Sequence, residues 1–436
     1  MLSKDSLIKQ VLTSNSLLLF FFALLVLLRA PSIVWPGRLW AEEGSVYFVK
    51  FYNSTIIASF FSIELGYYSL FNKLVLISAA KFIPLQYAPI FITFFSLLVM
   101  ISPVWLWLYC MRDTNNKAYR ALIVIALVLF TLPNHEVWLN SVNSQFYLSL
   151  SSAIILISSA HNLRMHYVRL IILFIAGMTG VVSCMLLPFF LFELLLNKGK
   201  EKLQETMILA LASLVQFLCV IVSYERNSDL YIGYLPWVLH IKLWLLPSFG
   251  VLSTDIISIM IKLCQLYKYP LLTMLLLVPH VLIGIGLFCY GDRRACYLFL
   301  ASLIIASVSF FKAVESQNSY LILSHISSLG GARYYYAPNV MKALALFLPQ
   351  RNLARVLPQY AQHFRALCNV IVMLFILTGA CDFLFTHKSR MNCFEGPSWQ
   401  TEVKNWQEGK SDRINIWPVP WSITLTPTNR NQNTLE

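Results

Sequence analysis

The chain has 436 residues, of which 58% are hydrophobic and only 12% are charged, and its mean hydropathy is +0.66. This composition excludes a sizeable soluble domain and predicts an all-α polytopic membrane protein, because a bilayer tolerates backbone only inside helices or closed barrels. The net charge of +13 does not indicate nucleic-acid binding, since the Lys and Arg residues fall between apolar runs, as the positive-inside bias expects. Nine cysteines without a CxxC pair are expected to be mostly small buried residues.

The apolar runs predict a bundle of about ten to twelve transmembrane helices. The first, at about 14–34, follows the basic segment Met1 to Gln10 without a small-residue cleavage site, and is therefore predicted to be an uncleaved anchor. Because Gly177 and Gly180 interrupt the run 168–196, it is either one kinked helix or two short ones. The other predicted spans lie near 68–84, 87–110, 121–133, between 145 and 161, 205–223, 235–262 (broken at Pro236 and Pro247), 270–290, 295–312, 335–349 and 366–386.

The first outer loop, 35–67, contains the adjacent carboxylates Glu42 and Glu43. Ionisable groups at a membrane edge are costly and suggest a functional site, and mutual repulsion should raise the pKa of one of them toward that of a general base. The alternative is a solvated acidic pair at a helix N-terminus. The following residues, 46–62, are amphipathic and are predicted to lie along the membrane surface.

The segment Asn134 to Gln145 is rich in hydrogen-bonding side chains around an aromatic ring, a mixture that suits sugar hydroxyls and a pyranose face. The alternative is a polar interfacial cap with a belt tryptophan. Both this loop and the Glu42 loop should lie outside, yet the predicted spans between them give the wrong number of crossings. Either 46–62 or one of the short apolar runs is therefore miscounted. The side chains concerned are His135, Glu136, Trp138, Asn140, Asn143 and Gln145.

A third segment, Gly330 to Pro338, places Arg333 at the mouth of a span, after two glycines and before three tyrosines. A guanidinium there can bind phosphate through two parallel hydrogen bonds, and the alternative is an arginine that snorkels in an aromatic belt. His325 is predicted to be an ordinary loop histidine.

The C-terminal segment, 387–436, is dense in Trp and Pro and predicts an ordered interfacial lid, a glycan-contacting surface or a structural cap. Basic residues at Lys198 to Lys202, at Arg293 and Arg294, and in 351–365 predict a cytosolic face. Arg333 and the tail then emerge on the opposite face. No phosphate-binding loop, HExxH or Gly-x-Ser-x-Gly motif is present, so an enzyme of this kind would need a lipid-borne donor.

Together these residues resemble the GT-C class of membrane glycosyltransferases, most closely the bacterial and phage-type proteins that modify O-antigen with sugars from a polyprenyl-phosphate carrier. Members often read Ala-Glu-Asp-Gly where this chain reads Ala41 to Gly44, so Glu43 departs from the usual aspartate. The similar Asn-x-Gln, Arg-Tyr and Ile-x-Pro…Trp elements fall on Asn143 to Gln145, Arg333 with Tyr334, and Ile416 to Trp421.

The resemblance implies a transmembrane GT-C-like domain over 1–386, an extracytoplasmic tail over 387–436, and an inverting transfer at the periplasmic face of the bacterial inner membrane. Glu43, slightly favoured, or Glu42 would be the base. The donor phosphate would bind Arg333, Tyr334 and Arg38. The sugar or its lipopolysaccharide-like glycan acceptor would contact His135, Glu136, Asn143, Gln145, Trp417 and Trp421.

The resemblance implies no cofactor, although some relatives use a divalent metal. Implied partners are the polyprenyl-phosphate-linked sugar, a glycan or glycolipid acceptor and the bilayer, with no nucleic acid; a flippase and a polyprenyl-phosphate sugar synthase would act in the same pathway. Two alternatives stay open: a transporter or flippase of lipid-linked glycans, with charges distributed through several spans, and a glycan polymerase, with arginines in large outer loops.

Overall fold

The computed structural model describes residues 14–110, 117–223, 232–266, 270–313, 331–348, 358–386 and 398–426. The apolar runs form helices, which satisfy their backbone polar groups internally. Within the described residues, five helices are long and apolar enough to cross a membrane, and a bent helix pair raises this number to six. The described part of the chain is therefore predominantly helical, with the length and apolarity that a multi-pass membrane protein requires. The five are Leu85–Cys110, Lys200–Ser223, Thr273–Tyr290, Arg293–Phe311 and Pro358–Phe385.

The N-terminal part begins with a helix that the side chain of Ser14 caps. The elements are α1 (Asn15–Arg29), α2 (Pro31–Val34), a π-helical turn (Glu43–Phe48), α3 (Val49–Asn53), α4 (Ile56–Phe61), α5 (Leu70–Phe82), a 3-10 turn (Leu85–Tyr87), α6 (Ala88–Cys110), α7 (Lys117–Phe130) and α8 (Ser144–Ile157). The predicted surface helix over 46–62 is thus broken at Ser54. Its first half is packed inside, with Phe51 fully buried, whereas Ile57 and Phe61 in α4 are largely exposed.

Helix α5 does not cross the bundle, which resolves the conflict over crossings. Asn72 Oδ1 in its first turn lies 2.5 Å from Ser141 Oγ, and Lys81 in its last turn donates to Tyr52 O (2.9 Å) in the first outer loop. Both ends of this 13-residue helix therefore lie at the same end of the bundle. Only α6 and α7 run between the two loops, and an even number of crossings brings the loops together.

The run 168–196 forms two pieces, α9 (Leu163–Thr179) and α10–α11 (Val181–Cys184 and Leu187–Asn197), which meet at an angle of 117°. The break falls at Gly180, where a Cβ atom would lie 2.2 Å from Gln145 Oε1, so only glycine allows the close approach. Lys198 then adopts a left-handed conformation (φ 41°) and the chain turns into α12 (Lys200–Ser223). Three consecutive helical segments thus run back and forth along the bundle.

The run 235–262 is broken at Gly250 and not at its prolines. Pro236 lies in the first turn of α13, where a missing N–H costs nothing, and the helical backbone continues through Pro247 from the preceding π-helical turn; Gly250 has φ +54°, which disfavours other residues. The elements are a 3-10 turn (Ile232–Tyr234), α13 (Leu235–His240), a π-helical turn (Ile241–Leu245), α14 (Leu246–Phe249), a 3-10 turn (Gly250–Leu252) and α15 (Ser253–Leu266).

The C-terminal part adds five further helices, α16 to α20, and a small tail structure. The elements are α16 (Pro270–Leu275), α17 (Val278–Tyr290), α18 (Arg293–Ala313), α19 (Arg333–Phe347), α20 (Pro358–Cys381), a π-helical turn (Asp382–Thr386), α21 (Trp399–Gln407), β1 (Ile414–Asn415) and β2 (Ser422–Ile423). The strands pair antiparallel, Ile414 with Ile423. Trp399 of the tail is fully buried and donates to Leu85 O (2.7 Å), so the tail packs against the start of α6.

Basic residues lie at the end of the bundle opposite to Glu43. Helix α8 connects the two ends: it starts next to Ser141, and Ile155 O near its last turn accepts from Arg169 Nη2 (2.9 Å). Arg169 pairs with Glu205, which also pairs with Lys202 (2.9 Å). The basic patch predicted to be cytosolic and the Glu42–Glu43 loop therefore occupy opposite ends.

Candidate functional site

Four sequence segments enclose a cavity of about 360 Å³ at the Glu42 end of the bundle. Two tryptophans and two prolines form apolar walls, and four ionisable side chains face the space between them. Each segment singled out by its sequence contributes to this one cavity. Its lining residues are Trp40 to Glu42, Pro133, His135, Glu136, Gly331 to Arg333, Pro418 and Trp421.

Arg333 is the central cation of the cavity. Its Nη2 donates to Glu42 Oε1 (3.0 Å) and its Nη1 to Glu42 Oε2 (3.4 Å), and its Nε lies 3.8 Å from Glu136 Oε2. Burial opposes the charge, but Tyr334, Glu42 and Glu136 together raise the pKa of Arg333. The guanidinium stays charged and presents the forked geometry that suits a carboxylate or a phosphate.

Glu136 is the second carboxylate on the cavity wall. Burial raises the pKa of its carboxyl group, the Glu42 charge adds to the rise, and Arg333 opposes it. Lys242, behind Glu136 in the bundle, also acts against the rise. The cavity therefore holds two carboxylates that compete for one guanidinium.

Glu43 points away from the cavity into the protein and is only 2% exposed. Its Oε1 accepts from Ser141 N (2.6 Å) and Ser141 Oγ (2.6 Å), and its Oε2 accepts from Trp40 N (3.1 Å). Burial raises the pKa of Glu43, and these hydrogen bonds oppose the rise. Glu43 thus ties the first outer loop to the Asn134 segment, while Glu42 faces the cavity. Ser141, which sequence reasoning missed, is the partner that makes this tie.

His135 lines the cavity beside an aspartate that sequence reasoning also missed. Its Nε2 lies 3.0 Å from Asp382 Oδ2, and the same oxygen lies 4.0 Å from Arg29 Nη2. The signal that could have found Asp382 is its position at the end of a predicted span, where a buried acid is costly. Arg29 Nη2 donates to Asn134 Oδ1 (2.7 Å), and its guanidinium lies 4.1 Å from the Trp138 ring centre.

Asn143 and Gln145 do not line the cavity. Asn143 is buried, and its Nδ2 donates to Glu136 O (2.7 Å), which holds the backbone of the loop in place. Gln145 is buried against Gly180, and its Nε2 donates to Tyr67 Oη (3.4 Å). Both amides support the loop that presents His135 and Glu136.

The two tail tryptophans predicted to contact the sugar have different surroundings. Trp421 is 39% exposed and lines the cavity, whereas Trp417 is 2% exposed and lies behind it. Trp417 N donates to Leu39 O (2.9 Å), and Trp417 O accepts from Ala41 N, so the tail pairs with the first outer loop. Of the two, only Trp421 presents a surface to a ligand.

Arg38 and Tyr334, both predicted to bind the donor phosphate, lie outside the cavity lining. Arg38 is buried, 5.9 Å from the Trp417 ring centre, and neither of its terminal nitrogens has a hydrogen-bond partner within the described ranges. Burial lowers the pKa of Arg38, and Glu402 opposes the change. The Tyr334 ring lies 5.2 Å from the Arg333 guanidinium and supports it from outside the cavity.

Met1 to Gln10, His325 and Gly330 lie outside the described residues. In the part of the chain that the structure describes, no group of three or more His, Cys, Asp or Glu side chains is arranged to hold a metal ion. Comparison of the chain with protein-family models, curated proteins and solved structures gives no match.

Proposed function

We propose that the chain is a membrane glycosyltransferase of the GT-C type, which transfers a sugar from a polyprenyl-phosphate carrier to a cell-surface glycan such as O-antigen or lipopolysaccharide. The observation that carries the proposal is that the Glu42 carboxylate and the Arg333 guanidinium face the same cavity. A direct displacement needs both groups: a base for the acceptor hydroxyl and a cation for the phosphate that leaves.

The walls of the cavity suit a sugar phosphate. Trp40 and Trp421 offer aromatic faces to a pyranose ring, and Glu136 offers a carboxylate to its hydroxyl groups. The position of Glu42 makes it the base in this proposal, with Glu43 as the residue that holds the loop. This assignment reverses the slight preference for Glu43 that the sequence suggested.

The direction of the cavity follows from the charge distribution. The basic residues Arg169 and Lys202 lie at the opposite end of the bundle and, by the positive-inside rule, at the cytosolic face. The cavity would then open toward the periplasm of a bacterial inner membrane, where lipid-linked sugars are presented. A count of ten to twelve crossings requires that several of the shorter apolar helices, such as α1 and α8, also span.

A transporter of lipid-linked glycans is the second candidate, because cations are also buried within the bundle. Lys342 in α19 is fully buried, and its Nζ lies 3.9 Å from the Trp244 ring centre. Lys242 is also buried. Charges inside spans are typical of transport pathways. The two candidates differ in product: a transferase joins sugar to acceptor, whereas a transporter moves the intact donor.

The test is sugar transfer from a labelled polyprenyl-phosphate donor by membranes that carry Glu42→Gln, Glu43→Gln or both. We expect Glu42→Gln to lower the rate by about 10²- to 10⁴-fold, the usual contribution of a general base. Glu201→Gln, an exposed acid at the other end of the bundle, is the matched control. Full activity in both single variants and in the double variant would contradict the proposal. Movement of intact donor across proteoliposomes without any transfer would favour the transporter.

A further inference from the structure

The ionisable side chains on the cavity wall carry more negative than positive charge. Those among the described lining residues are Glu42, Glu136, Arg333 and His135. Both ring nitrogens of His135 are buried, and Nε2 lies 3.0 Å from Asp382 Oδ2, so any charge on this ring is balanced from within the protein. Two carboxylates therefore share one guanidinium at the cavity.

A lipid phosphate on Arg333 would enlarge this excess of negative charge. A sugar phosphodiester carries one negative charge, which balances the charge of Arg333 and leaves Glu42 and Glu136 without a cation on the described cavity wall. Lys242 is 1% exposed and does not line the cavity, so it reaches a bound sugar only through Glu136. Negative charges without partners are costly in a partly buried site. A positive group on the substrate would remove this cost.

Glu136 is the carboxylate that has capacity for a further donor. Glu42 accepts from both terminal nitrogens of Arg333, whereas Glu136 Oε2 lies 3.8 Å from Arg333 Nε, which is longer than a hydrogen bond. The Glu136 carboxylate also accepts from the backbone of Gly331. An ionised carboxylate has about four acceptor positions, and 24% of this side chain is exposed. An ammonium group of a ligand can therefore form a charge-assisted hydrogen bond with Glu136.

The aromatic part of the cavity wall also suits a cation. The Trp421 side chain lines the cavity and is 39% exposed, and Trp40 lines it as well. The face of an indole ring attracts ammonium groups because the ring quadrupole is negative there. A carboxylate beside aromatic faces thus binds an ammonium group but offers no partner to a second carboxylate.

We propose that the sugar on the lipid donor carries a protonated amino group, and that Glu136 selects this sugar and rejects acidic ones. This inference rests on the proposed function. The cavity has a volume of only about 360 Å³, so a sugar joined to a phosphate on Arg333 lies close to Glu136. An amino group there gains the carboxylate and the indole faces, whereas a neutral sugar gains only hydroxyl contacts. A uronic acid is repelled by two carboxylates.

The test measures binding of synthetic donors to the detergent-solubilised full chain at about pH 7, where ordinary carboxylates are ionised and amines of the α-amino type are mostly protonated. Each probe is farnesyl phosphate joined to one sugar: glucose, a glucose analogue with one amino group at C2, C3, C4 or C6, or glucuronic acid. The lipid and the phosphate stay the same throughout. N-acetylation of the amine that binds most tightly removes its charge and gives the matched control probe.

We expect the wild type to bind at least one amino sugar about tenfold or more tightly than glucose, and glucuronic acid about tenfold or more weakly, as charge-assisted contacts require. N-acetylation should remove the gain. In Glu136→Gln both ratios should fall toward one, and in Glu136→Asp both should keep their direction. Glu201→Gln, an exposed acid at the other end of the bundle, should keep the wild-type ratios.

Three results would overturn the inference. In the wild type, these are binding of all four amino sugars no tighter than that of glucose, or binding of glucuronic acid as tight as that of glucose. The third is an amine preference that Glu136→Gln keeps in full. The thermal midpoint shows whether Glu136→Gln is folded, and if it is not, the wild-type order and the N-acetylated probe decide.

Arg333→Ala distinguishes failure of this inference from failure of the proposed function. Weaker binding of every probe by Arg333→Ala, without any amine preference in the wild type, would support the phosphate site and contradict only the choice of sugar. If no probe binds the wild type, or if Arg333→Ala binds all probes like the wild type, the phosphate site fails and the inference fails with it.

Discussion

Arg333 Nη2 donates to Glu42 Oε1 over 3.0 Å, and Nη1 donates to Oε2 over 3.4 Å, although 291 residues separate the two side chains. This forked pair occupies two of the five N–H donors of the guanidinium. A lipid phosphate that binds Arg333 through the same forked pair replaces Glu42. The carboxylate then loses its cationic partner and becomes available as a base, so the donor is expected to bind before the proton transfer.

Replacement of Arg333 by lysine tests the forked geometry. Lysine keeps the charge but offers no planar pair of donors, so we expect a loss of about 1.5–3 kcal/mol in donor binding, the range for hydrogen bonds to charged groups. The concentration of donor for half-maximal rate should rise about 10- to 100-fold, and the maximal rate should fall less. Saturation curves with labelled donor measure both quantities. Unchanged donor dependence in Arg333→Lys and in Arg333→Ala would argue against phosphate binding at this residue.

Glu43 should affect stability more than chemistry. In Glu43→Gln an NH₂ group replaces one of the two carboxylate oxygens, which accept from the backbone N–H groups of Trp40 and Ser141. One of these N–H groups then loses its acceptor, and a buried donor without an acceptor costs about 1–3 kcal/mol. We expect a lower thermal midpoint in detergent, with transfer per folded molecule largely kept. Loss of transfer at an unchanged midpoint would instead make Glu43 the base.

The pH dependence of stability should also change in Glu43→Gln. Burial raises the pKa of Glu43 in the folded chain, so the folded state binds more protons than the unfolded state above the unfolded pKa of about 4.3. The stability that this group contributes is present at low pH, and it declines as the pH rises from the unfolded pKa to the raised pKa of the folded chain. The wild-type midpoint should therefore contain a component that falls with rising pH, and the glutamine variant should lack it. Parallel midpoint-against-pH curves would contradict this.

Gly44 should not tolerate alanine, because the tail packs directly on it. A Cβ atom there would lie 2.7 Å from Ile416 Cδ1 and 3.1 Å from Leu39 Cβ. We expect overpacking of about 1–3 kcal/mol and an earlier cleavage of the tail in limited proteolysis. Gly199→Ala is the control, since its nearest neighbour, Asn197 O, would be 3.9 Å away. Equal behaviour of the two variants would show that the tail does not pack as described.

The two tail tryptophans should separate stability from activity. Trp417→Ala removes a buried ring and should cost about 3–5 kcal/mol, with a lower thermal midpoint and a loosened tail. Trp421→Ala removes a ring that is 39% exposed on the cavity wall, and should mainly reduce acceptor or donor affinity. Thermal midpoints and saturation curves of the two variants give the comparison. The reverse assignment would place the ligand surface at Trp417.

The grouping of Glu42, Glu136 and Arg333 could be anticipated because each charged residue stands next to an apolar run. A charge there must lie at an end of the bundle, and only two ends exist. The same reasoning explains why the basic patch near Lys202 lies at the other end. Gly180 and Gly250 each stand at a break in an apolar run. At Gly180 the side chain of Gln145 approaches closely, and Gly250 has a positive φ.

The crossing count between the first two loops could not be anticipated. Helix α5 is mostly apolar, with Asn72, Lys73 and Lys81 near its two ends, and this composition alone is compatible with a crossing. Its contacts at both ends, Asn72 with Ser141 and Lys81 with Tyr52, show that it lies along one end of the bundle. Hydropathy indicates whether a helix lies in apolar surroundings, but it does not indicate whether that helix crosses the bundle or lies along one end of it.

The sequence by itself determined a predominantly helical chain with helices long and apolar enough to cross a membrane, and it predicted the acidic, amide-rich and Arg333 segments at one end, because apolar length and charge position suffice for both conclusions. Tertiary structure alone decided which neighbouring glutamate faces the cavity. Glu42 and Glu43 are neighbours at the start of a π-helical turn and point in different directions, and contact with Arg333 or Ser141 selects the direction of each. Only the folded chain brought Asp382 to His135, since no local pattern connects residues on different helices.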